Sequence, residues 1–489
     1  MSGESHHDLL DKGHTIFIGG EWSSGAGAFD VTDPAAPAEI TARLATGRPE
    51  DIDAAYAAAE AAGSEWGRST AQYRSGILLA AADLLEAHLD EATERLTLDM
   101  GKAHRDARAE VSRGVAILRY FAGDVLQASG EVYPSADPET TLMTIEEPVG
   151  TVAVITPWNF PVAIPLWKIA PALVYGNTVV WKPASAAAGS AVLLAGILGR
   201  AGLPDGVLNL VTGSGGELSE AITSASGMRA LSFTGSGATG MKIQAALSGT
   251  TAKLQLELGG KNPAIVLADA DLADAAVQIS RGAFLSTGQR CTATSRAYVE
   301  RAVFDHFSDL LRAEAAAMVV ADPQDPGTDV GPAASAAQFR TVNEYLDLAR
   351  AEGATFLFGE DRVPAADGGY FIPPTILTGV DLESRLVTEE IFGPVICLIP
   401  VDGFEQGIEL ANDTEFGLSS AVFTSDLKVA MKFARLTESG VVHVNRETAG
   451  VEPHVPFGGL KGSSNAQREQ GTAARRFFTN TKTVYIRTP

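Results

Sequence analysis

The chain has 489 residues, of which 45% are hydrophobic and 20% are charged, as is ordinary for a soluble globular protein. These proportions exclude a disordered, collagen-like or disulfide-stapled chain, and the length corresponds to roughly three domains. Its 60 Asp and Glu against 37 Lys and Arg leave a formal net charge of −23. A surface of that sign repels nucleic-acid phosphates and anionic lipid, so we expect neither as a partner.

Cysteine content and the N-terminal residues indicate the compartment. Two cysteines, Cys291 and Cys397, are too few for a disulfide framework, which favours a reducing environment. Residues 1–15 are polar and lack a basic region followed by an apolar stretch, so no signal peptide is predicted. The most apolar long segment, 151–181, is interrupted by four prolines and Lys168, which argues against a membrane span. We therefore expect a cytoplasmic protein.

Helices are predicted first along the chain. Residues 51–125 are rich in Ala, Leu and Glu, and apolar residues recur at helical spacing, as at Ile77, Leu78 and Ala81. From residue 151 the pattern changes to short apolar runs, each followed by Gly, Pro or Ser and then a helix-like segment. The runs predicted as buried strands are 151–155, 178–181, 207–211 and 230–233. This alternation indicates βαβ units and a parallel sheet.

A second alternating region extends from about residue 262 to residue 458. Its clearest predicted elements are a strand at 264–267, a helix at 272–284 and a strand at 395–401. Two isolated stretches, 140–145 and 481–486, alternate their faces as half-exposed strands do. The simplest interpretation of these two stretches is that they are edge strands of the main domains.

A glycine-rich turn follows the predicted strand at 230–233. Gly235, Gly237 and Gly240 form the pattern G-x-G-x-x-G between that strand and a predicted helix. In this context the amides of a helix N-terminus bind pyrophosphate, although such a turn alone is often only a tight turn. Glu257 lies near the spacing at which a dinucleotide fold places its ribose-binding acid, but spacing alone does not establish that role.

The sequences around Glu257 and Cys291 make both residues candidates for a catalytic role. Glu257 ends an apolar run and precedes two glycines, where an acid is either a paired structural carboxylate or a catalytic base with a shifted pKa. A lone cysteine is usually a small core residue. Cys291, however, is flanked by glycine and polar residues, and a semi-exposed thiol next to Arg290 is a candidate nucleophile.

Seven segments occur in a characteristic order along the chain. They are TPWNFP (156–161), WKPAS (181–185), FTGSGATG (233–240), LELGGKNP (256–263), TGQRCT (287–292), EEIFGP (389–394) and PFGG (456–459). Together they closely resemble the aldehyde dehydrogenase superfamily over essentially the whole chain. The resemblance implies an α/β fold with two parallel-sheet domains, a Rossmann-like nucleotide domain and a catalytic domain, plus a β-strand oligomerisation arm.

The resemblance implies three catalytic residues. In that family a cysteine thiolate attacks the aldehyde, the thiohemiacetal passes hydride to a nicotinamide, and a glutamate activates the water that hydrolyses the thioester. Cys291 matches the nucleophile and Glu257 the base. Asn159 matches the amide that stabilises the oxyanion together with the Cys291 backbone N–H. No His/Cys cluster at metal-ligand spacing occurs, and this chemistry needs no metal.

A nicotinamide dinucleotide site is implied in the same way. Lys182 and Ser185 match positions that contact the adenosine ribose, and Glu390 and Phe392 match those that hold the nicotinamide ribose and ring. The other matching positions are Thr156, Trp158, Gly215, Phe233, Gly235, Ser236 and Gly240. Many family members carry Glu where this chain has Ser185, and that carboxylate repels a 2′-phosphate. We therefore predict that NADP is accepted as well as NAD.

The domain boundaries follow from the resemblance too. Residues 1–126 and 148–259 match the nucleotide-binding domain, and residues 260–462 match the catalytic domain. Residues 129–147 and 477–489 match the arm, which would account for the two isolated stretches because a partner subunit covers their edges. A homodimer or homotetramer is therefore expected.

Three stretches, 160–168, 448–459 and 468–483, most resemble family members that oxidise α-ketoglutaric semialdehyde (2,5-dioxopentanoate) to 2-oxoglutarate. A desolvated substrate carboxylate needs a basic or strongly donating partner. The candidates for that partner are Arg281, Arg446 and His454. The candidates for apolar walls around the aldehyde are Phe160, Trp167 and Phe457.

Other functions stay open at this point. Succinic semialdehyde or an aromatic aldehyde is the alternative substrate. A CoA-acylating relative is a second alternative, which Glu257 argues against because that branch typically lacks the base. A non-catalytic protein on the same fold is the third, and the presence of Cys291, Glu257 and Asn159 argues against it.

Overall fold

Two seven-stranded sheets flanked by helices form the frame of the protein. The structure, a computed structural model, describes residues 6–361 and 368–487. The strands are β1 (Ile16–Ile18), β2 (Glu21–Ser23), β3 (Ala28–Thr32), β4 (Ile40–Ala45), β5 (Val132–Tyr133), β6 (Thr140–Pro148), β7 (Thr151–Thr156), β8 (Thr178–Pro183), β9 (Leu208–Leu210), β10 (Met228–Thr234), β11 (Lys253–Glu257), β12 (Asn262–Val266), β13 (Thr294–Glu300), β14 (Thr355–Phe358), β15 (Thr375–Thr378), β16 (Val395–Val401), β17 (Phe416–Gly417), β18 (Ser419–Phe423), β19 (Val441–Val444), β20 (Leu460–Lys461) and β21 (Thr479–Arg487).

The α-helices connect and cover these strands. They are α1 (His6–Lys12), α2 (Pro49–Arg68), α3 (Ala71–Ala87), α4 (Leu89–Met100), α5 (His104–Asp124), α6 (Ala163–Val174), α7 (Ala188–Arg200), α8 (Gly215–Ser224), α9 (Gly237–Leu247), α10 (Leu272–Phe284), α11 (Phe304–Ala317), α12 (Ala336–Ala351), α13 (Arg385–Thr388), α14 (Phe404–Asn412), α15 (Leu427–Leu436) and α16 (Gly471–Phe478). The predicted helical region 51–125 is thus confirmed as α2 to α5.

The first sheet has the order β11-β10-β7-β8-β9-β1-β2. Its strands from β11 to β9 are parallel, and β1 and β2 add antiparallel edges. The strands predicted at 151–155, 178–181, 207–211 and 230–233 are confirmed as β7, β8, β9 and β10. Every residue of β8 is buried, as expected for a central parallel strand with helices on both faces.

The second sheet has the order β14-β15-β16-β13-β12-β18-β19 and is parallel except at β14. The predicted strands at 264–267 and 395–401 fall in β12 and β16, and the predicted helix at 272–284 is α10. The Asp271 side chain accepts a hydrogen bond from the Asp274 backbone N–H and so caps that helix. The predicted fold of two parallel-sheet α/β units is therefore confirmed.

A separate three-stranded sheet joins two distant parts of the chain. Strand β6 pairs antiparallel with β21 through nine residue pairs, from Thr140 with Arg487 to Pro148 with Thr479. Strand β5 pairs with the other edge of β6. The stretches 140–145 and 481–486 are confirmed as strands, but their placement at the edges of the main sheets is wrong. Residues 477–478 end helix α16, and residues 488–489 lie outside the described residues.

Close packing places α5 beside the chain segment that leads into α6. A Cβ atom on Gly114 of α5 would lie 2.9 Å from side-chain carbons of both Leu166 and Val162, so only glycine leaves room for this approach.

The apolar segment 151–181 folds as β7, α6 and β8. Within residues 6–361 and 368–487, no helix combines the length and apolar character of a membrane span.

Candidate active site

The turn that carries Cys291 follows α10 in an uncommon backbone conformation. Ser286 (φ 53°) and Thr287 (φ 57°) are left-handed, a region that residues with a Cβ rarely adopt and that is least favourable for a β-branched one. Gly288 (φ 64°) continues the turn, and a Cβ there would overlap the Gly393 carbonyl. The turn therefore presents Cys291, which is half-buried, in a position defined by tight backbone contacts.

Asn159 lies in the loop between β7 and α6 and is tied to the cysteine turn. Its side-chain Nδ2 donates to the Gln289 carbonyl at 3.0 Å, two residues before Cys291. Its backbone carbonyl accepts from Lys102 Nζ at 2.7 Å. An amide nitrogen has two hydrogens, so one N–H of Asn159 is left to stabilise negative charge on a neighbouring oxygen.

The Cys291 thiol lies among carboxylates. Burial, followed by the negative charges of Glu390 and Glu257, raises the pKa of the Cys291 thiol to about 12. Removing the proton would add a third negative charge to a dry region, which is why the protonated form is favoured. A thiolate at neutral pH therefore needs a proton acceptor or a positive charge brought close to the sulfur.

Glu257 ends β11 with one oxygen bound and the other free. Its Oε2 accepts from the Ser464 hydroxyl at 2.7 Å, and its buried Oε1 has no hydrogen-bond partner. A Cβ on Gly458 would lie 2.7 Å from that Oε1, so the glycine leaves space beside it. Burial, and then the charge of Glu469, raises the pKa of Glu257 well above its ordinary value. Such a carboxyl can accept a proton from a neighbouring thiol or water.

A buried ion pair borders Glu257. Lys168 of α6 pairs with Glu469, and both side chains are only 1% exposed. The Lys168 ammonium also donates to the Ser232 hydroxyl at 2.9 Å. Sequence reasoning did not identify this pair as part of the site. The available signal was a lysine inside an otherwise apolar segment, since a buried lysine requires a counter-charge.

A cavity of about 760 Å³ opens next to Cys291. It is lined by Pro157, Trp158, Asn159, Thr234, Gly235, Ser236, Leu258, Gly259, Cys291, Gln338, Thr341, Glu390, Ile391 and Phe392. The structure thus brings together seven of the residues predicted from the sequence. The rings of Trp158 and Phe392 meet edge to face, with centroids 5.4 Å apart.

Glu390 projects into this cavity. Its Oε1 accepts from the Gly260 backbone N–H at 2.9 Å. A Cβ on Gly259 would overlap the Glu390 carboxylate. Gly260 therefore binds this side chain through its backbone N–H, and Gly259 leaves space for it. Burial raises the pKa of Glu390 to about 7. A free carboxylate oxygen at this depth is an acceptor for a hydroxyl-bearing ligand.

Lys182, Ser185 and Gly215 form a second group at the end of β8. Lys182 Nζ donates to the Pro183 carbonyl at 3.0 Å, and a Cβ on Gly215 would lie 3.9 Å from that nitrogen. The Ser185 hydroxyl donates to the Gly213 carbonyl at 3.0 Å. Burial lowers the pKa of Lys182 to about 8. In the neighbouring turn, Ser236 caps α9 by accepting from a backbone N–H.

Three other predicted cofactor residues do not line the cavity and instead contact side chains behind the residues that do. Thr156 is buried and accepts a hydrogen bond from the Trp181 indole at 2.9 Å. The Phe233 ring is 3% exposed and lies under Gly235, where a Cβ would lie 2.6 Å from the ring. Gly240 allows α9 to approach Leu258, since a Cβ would lie 2.5 Å from that side chain.

The predicted apolar walls pack on the core beside Cys291. The rings of Trp167 and Phe457 are 5.6 Å apart, and both side chains are buried. Phe160 packs against the same hydrophobic cluster as Cys291, with the Lys102 ammonium 3.7 Å from its ring centroid. All three aromatic side chains thus belong to or pack against the large hydrophobic cluster that Cys291 also packs against, and none of them lines the cavity next to the thiol.

The predicted basic residues are all exposed. Arg281 lines a second cavity, of about 1040 Å³, together with Asp106 and Leu285. Arg446 and His454 line neither this cavity nor the one next to Cys291. Of the three residues, Arg281 is thus the one that shares a cavity with Leu285, which directly precedes Ser286 of the cysteine turn.

Two further arginines were not predicted as substrate residues. Arg290 is 12% exposed and makes two long ion pairs, 3.5 Å to Asp106 and 3.6 Å to Glu447. It also donates to the Ser286 hydroxyl at 3.3 Å, while its buried Nε has no hydrogen-bond partner. Arg113 of α5 donates to the Val451 carbonyl. Burial lowers the pKa of Arg113, and the charge of Arg290 lowers it further. Sequence spacing could not show that α5 brings Arg113 to this region.

Comparison with known proteins gives a consistent result. Residues 22–484 match the model of the aldehyde dehydrogenase family. The α-ketoglutaric semialdehyde dehydrogenase of Bacillus subtilis is 42% identical over 475 residues, 96% of this chain and 97% of that protein. The α-ketoglutarate semialdehyde dehydrogenase of Haloferax volcanii is 44% identical over 477 residues, 96% and 98% of the two chains. The crystal structure of Staphylococcus aureus betaine aldehyde dehydrogenase with NAD+ superposes with a TM-score of 0.94 at 32% identity, covering 100% of this chain and 98% of that one.

The raised thiol pKa predicts how Cys291 reacts with iodoacetamide. The alkylation rate should keep rising above about pH 9, past the ordinary thiol pKa near 8.5, because burial and two carboxylates disfavour the thiolate. Glu257→Gln should shift this profile to lower pH by removing one of the charges. Mass spectrometry of the alkylated peptide measures the rate. Cys291→Ala is the control, since Cys397 is only 1% exposed, and a rate that levels off below about pH 8 would contradict the prediction.

Proposed function

This chain belongs to the aldehyde dehydrogenase family, and from that premise we propose that it oxidises α-ketoglutaric semialdehyde (2,5-dioxopentanoate) to 2-oxoglutarate. It is an NAD(P)-dependent aldehyde dehydrogenase. The observation that carries the chemistry is that Cys291, Asn159 and Glu390 line one cavity, with Glu257 bordering the same thiol. The observation that favours the substrate is the 42–44% identity to two enzymes named for it.

Cys291 is the proposed nucleophile. Its sulfur adds to the aldehyde carbon, and the carbonyl oxygen takes up negative charge as the C–S bond forms. The free N–H of Asn159 and the Cys291 backbone N–H are the donors for that oxygen. Since Asn159 is held on both its side chain and its carbonyl, it needs no reorganisation as the charge develops.

Glu257 is the proposed base. Its unpartnered Oε1 takes the proton of the thiol in the first half of the reaction and releases it to solvent. The regenerated carboxylate then takes a proton from water in the second half. The hydroxide equivalent then attacks the thioester carbon, the C–S bond breaks, and the carboxylic acid leaves. Ser464 holds the other oxygen, so the base keeps its orientation. The presence of Glu257 disfavours the CoA-acylating alternative, which a rate that depends on added CoA would support.

The cavity suits a nicotinamide dinucleotide. When bound, the nicotinamide accepts the hydride that leaves the former aldehyde carbon. Glu390 is the proposed acceptor for the nicotinamide ribose hydroxyls, with the Phe392 ring beside the nicotinamide. Lys182 and Ser185 are placed to bind the adenosine ribose. The amides at the start of α9, which Ser236 caps, are placed to bind the pyrophosphate.

Basic side chains near the thiol are the proposed partners of the substrate carboxylate. Four carbon–carbon bonds separate the two ends of 2,5-dioxopentanoate and span roughly 5 Å. Arg290 directly precedes Cys291 in the chain, and its charge acts on Arg113, whereas Arg446 and His454 are exposed. Arg290 has an unpartnered Nε, long ion pairs and one hydrogen bond of 3.3 Å to the Ser286 hydroxyl, so its Nε can bind a new carboxylate without breaking a close ion pair. Arg281 then lies further out, on the approach to the site.

The domain roles remain as expected from the resemblance. Residues 1–126 and 148–259 are proposed to bind the nucleotide and residues 260–462 to supply the nucleophile. Residues 129–147 and 477–489 are proposed as an arm that pairs with a second copy in a homodimer or homotetramer. Within the arm Val132 is 75% and Tyr485 72% exposed, which favours a covering partner. The two free thiols are compatible with a cytoplasmic location.

The substrate proposal predicts a preference for an anionic aldehyde. kcat/KM with 2,5-dioxopentanoate should exceed that with pentanal or benzaldehyde by roughly 10- to 100-fold, because a hydrogen bond to a charged group contributes about 1.5–3 kcal/mol. Arg290→Met and Arg113→Met should each lower that ratio, and Arg446→Ala, at an exposed position, should not. This ratio is measured from initial rates with a panel of aldehydes that includes succinic semialdehyde. Higher kcat/KM for uncharged aldehydes would contradict the proposal.

The Ser185 position predicts dual cofactor use. The wild type should turn over with both NAD and NADP, and Ser185→Glu should lower kcat/KM for NADP by roughly tenfold or more, since about 1.4 kcal/mol of repulsion is a factor of ten. Ser185→Gln, of equal length but uncharged, is the matched control. Initial rates with each cofactor decide the question. A strong wild-type preference for NAD, or equal effects of Glu and Gln, would speak against it.

The arm proposal predicts an oligomer in solution. Light scattering should give the mass of a dimer or tetramer, because the exposed apolar residues of the three-stranded sheet need a partner. Tyr485→Asp should shift the distribution toward smaller species by placing a charge on that surface. Asp402→Ala, which changes an exposed side chain outside the arm, is the control. A monomer at every concentration would disprove the assignment.

A further inference from the structure

Helix α5 carries two carboxylates four residues apart. Asp106 and Glu110 lie on the same helix face, since residues at i and i+4 are neighbours there. Their side chains are only 13% and 1% exposed. Each of them binds a different part of the chain that supplies the active site.

Glu110 binds the segment that carries Asn159. Its Oε1 accepts hydrogen bonds from the backbone N–H groups of Val162 at 2.9 Å and Ala163 at 3.1 Å. Its other oxygen pairs with Lys102, which in turn donates to the Asn159 carbonyl at 2.7 Å. The start of α6 and the Asn159 loop are therefore fixed to α5 by three polar contacts.

Asp106 binds the turn that carries Cys291. Its Oδ2 accepts from both the backbone N–H and the hydroxyl of Ser286, each at 2.9 Å, and lies 3.5 Å from the Arg290 guanidinium. Ser286 and Thr287 are the two non-glycine residues of the turn that are left-handed. Residues with a Cβ hold that conformation only where the surroundings impose it, and the Asp106 carboxylate is one such restraint.

We propose that Asp106 is a positioning residue for the nucleophile, and that α5 sets the separation between Cys291 and Asn159. The Asp106 carboxylate holds the cysteine turn while Glu110, one turn along the same rigid helix, holds the oxyanion donor. This inference rests on the proposed function only in taking Cys291 as the nucleophile. A displacement of about 1 Å between such groups lowers a rate by roughly a hundredfold.

Substitutions at Asp106 test this inference with two readouts. Asp106→Ala should lower kcat with the best aldehyde substrate by roughly a hundredfold and slow the alkylation of Cys291, while the KM for NAD stays unchanged. Asp106→Asn keeps an oxygen that accepts from Ser286 and should restore most of both rates. Arg108→Ala is the matched control, since it changes an exposed α5 side chain that pairs with Asp90.

Other results of these substitutions would overturn the proposal. The proposal is overturned if Asp106→Ala leaves kcat and alkylation at wild-type values, or if Asp106→Asn is as impaired as Asp106→Ala, which would assign the effect to the charge beside Arg290. If Asp106→Ala does not fold, Asp106→Ser decides, because its side chain is one atom shorter and cannot make the same contacts with Ser286, and wild-type values of both rates would overturn the proposal. Because alkylation involves no aldehyde, a wrong substrate assignment lowers activity with 2,5-dioxopentanoate in every variant and leaves the alkylation ratios intact.

Discussion

The enclosure of several carboxylates beside one thiol, away from water, is the constraint on which the rest of this structure depends. Glu257 and Glu469 are each 2% exposed, and Lys168 is the cation that the fold supplies to pair with Glu469. Burial is the largest cause that raises the pKa values of Cys291, Glu257 and Glu390. The same enclosure therefore disfavours both the thiolate of the nucleophile and the carboxylate of the base.

Rigid supports follow from this constraint, because carboxyl groups enclosed away from water need hydrogen-bond donors from the protein itself. The supports are short hydrogen bonds from backbone and hydroxyl groups, as at Ser464 for Glu257 and at Gly260 for Glu390. Glycines provide the space, since a side chain at Gly259 or Gly458 would collide with a carboxylate. A strand end thus carries Glu257, and loops carry the polar atoms of Ser464 and Gly260 that hold the two acids in place.

Local patterns in the sequence predicted much of the fold and part of the site. Apolar runs separated by helical segments predicted the parallel sheets, and the helix at 272–284 agrees with α10. Phe233 was expected at the cofactor, but its side chain lies in the core while Thr234 lines the cavity, because successive strand residues face opposite sides of a sheet. The resemblance identified which positions along the chain belong to the cofactor site. It did not distinguish a residue whose side chain lines the cavity from one that packs behind the cavity wall.

Long-range partnerships were beyond sequence patterns for a physical reason. Lys168 pairs with Glu469 and Asp106 binds Ser286 across separations of 301 and 180 residues. Periodicity reports which face of an element is apolar, and it carries no information about which distant side chain meets a buried charge. For the same reason the sequence did not show that Arg446 and His454 are exposed, or that Arg113 of α5 reaches the Val451 carbonyl.

The pairing of β6 with β21 has a consequence for how the protein is made. On the ribosome, β6 is complete once residue 148 has been synthesised, but its partner begins only at residue 479. At the usual rates of translation the nascent chain holds that strand edge open for a time on the order of tens of seconds. An unpaired edge of this kind invites pairing with other chains, so chaperones are expected to matter during synthesis. Glu469 also emerges late, and the newly made chain therefore cannot complete its acid cluster until residue 469 has been synthesised.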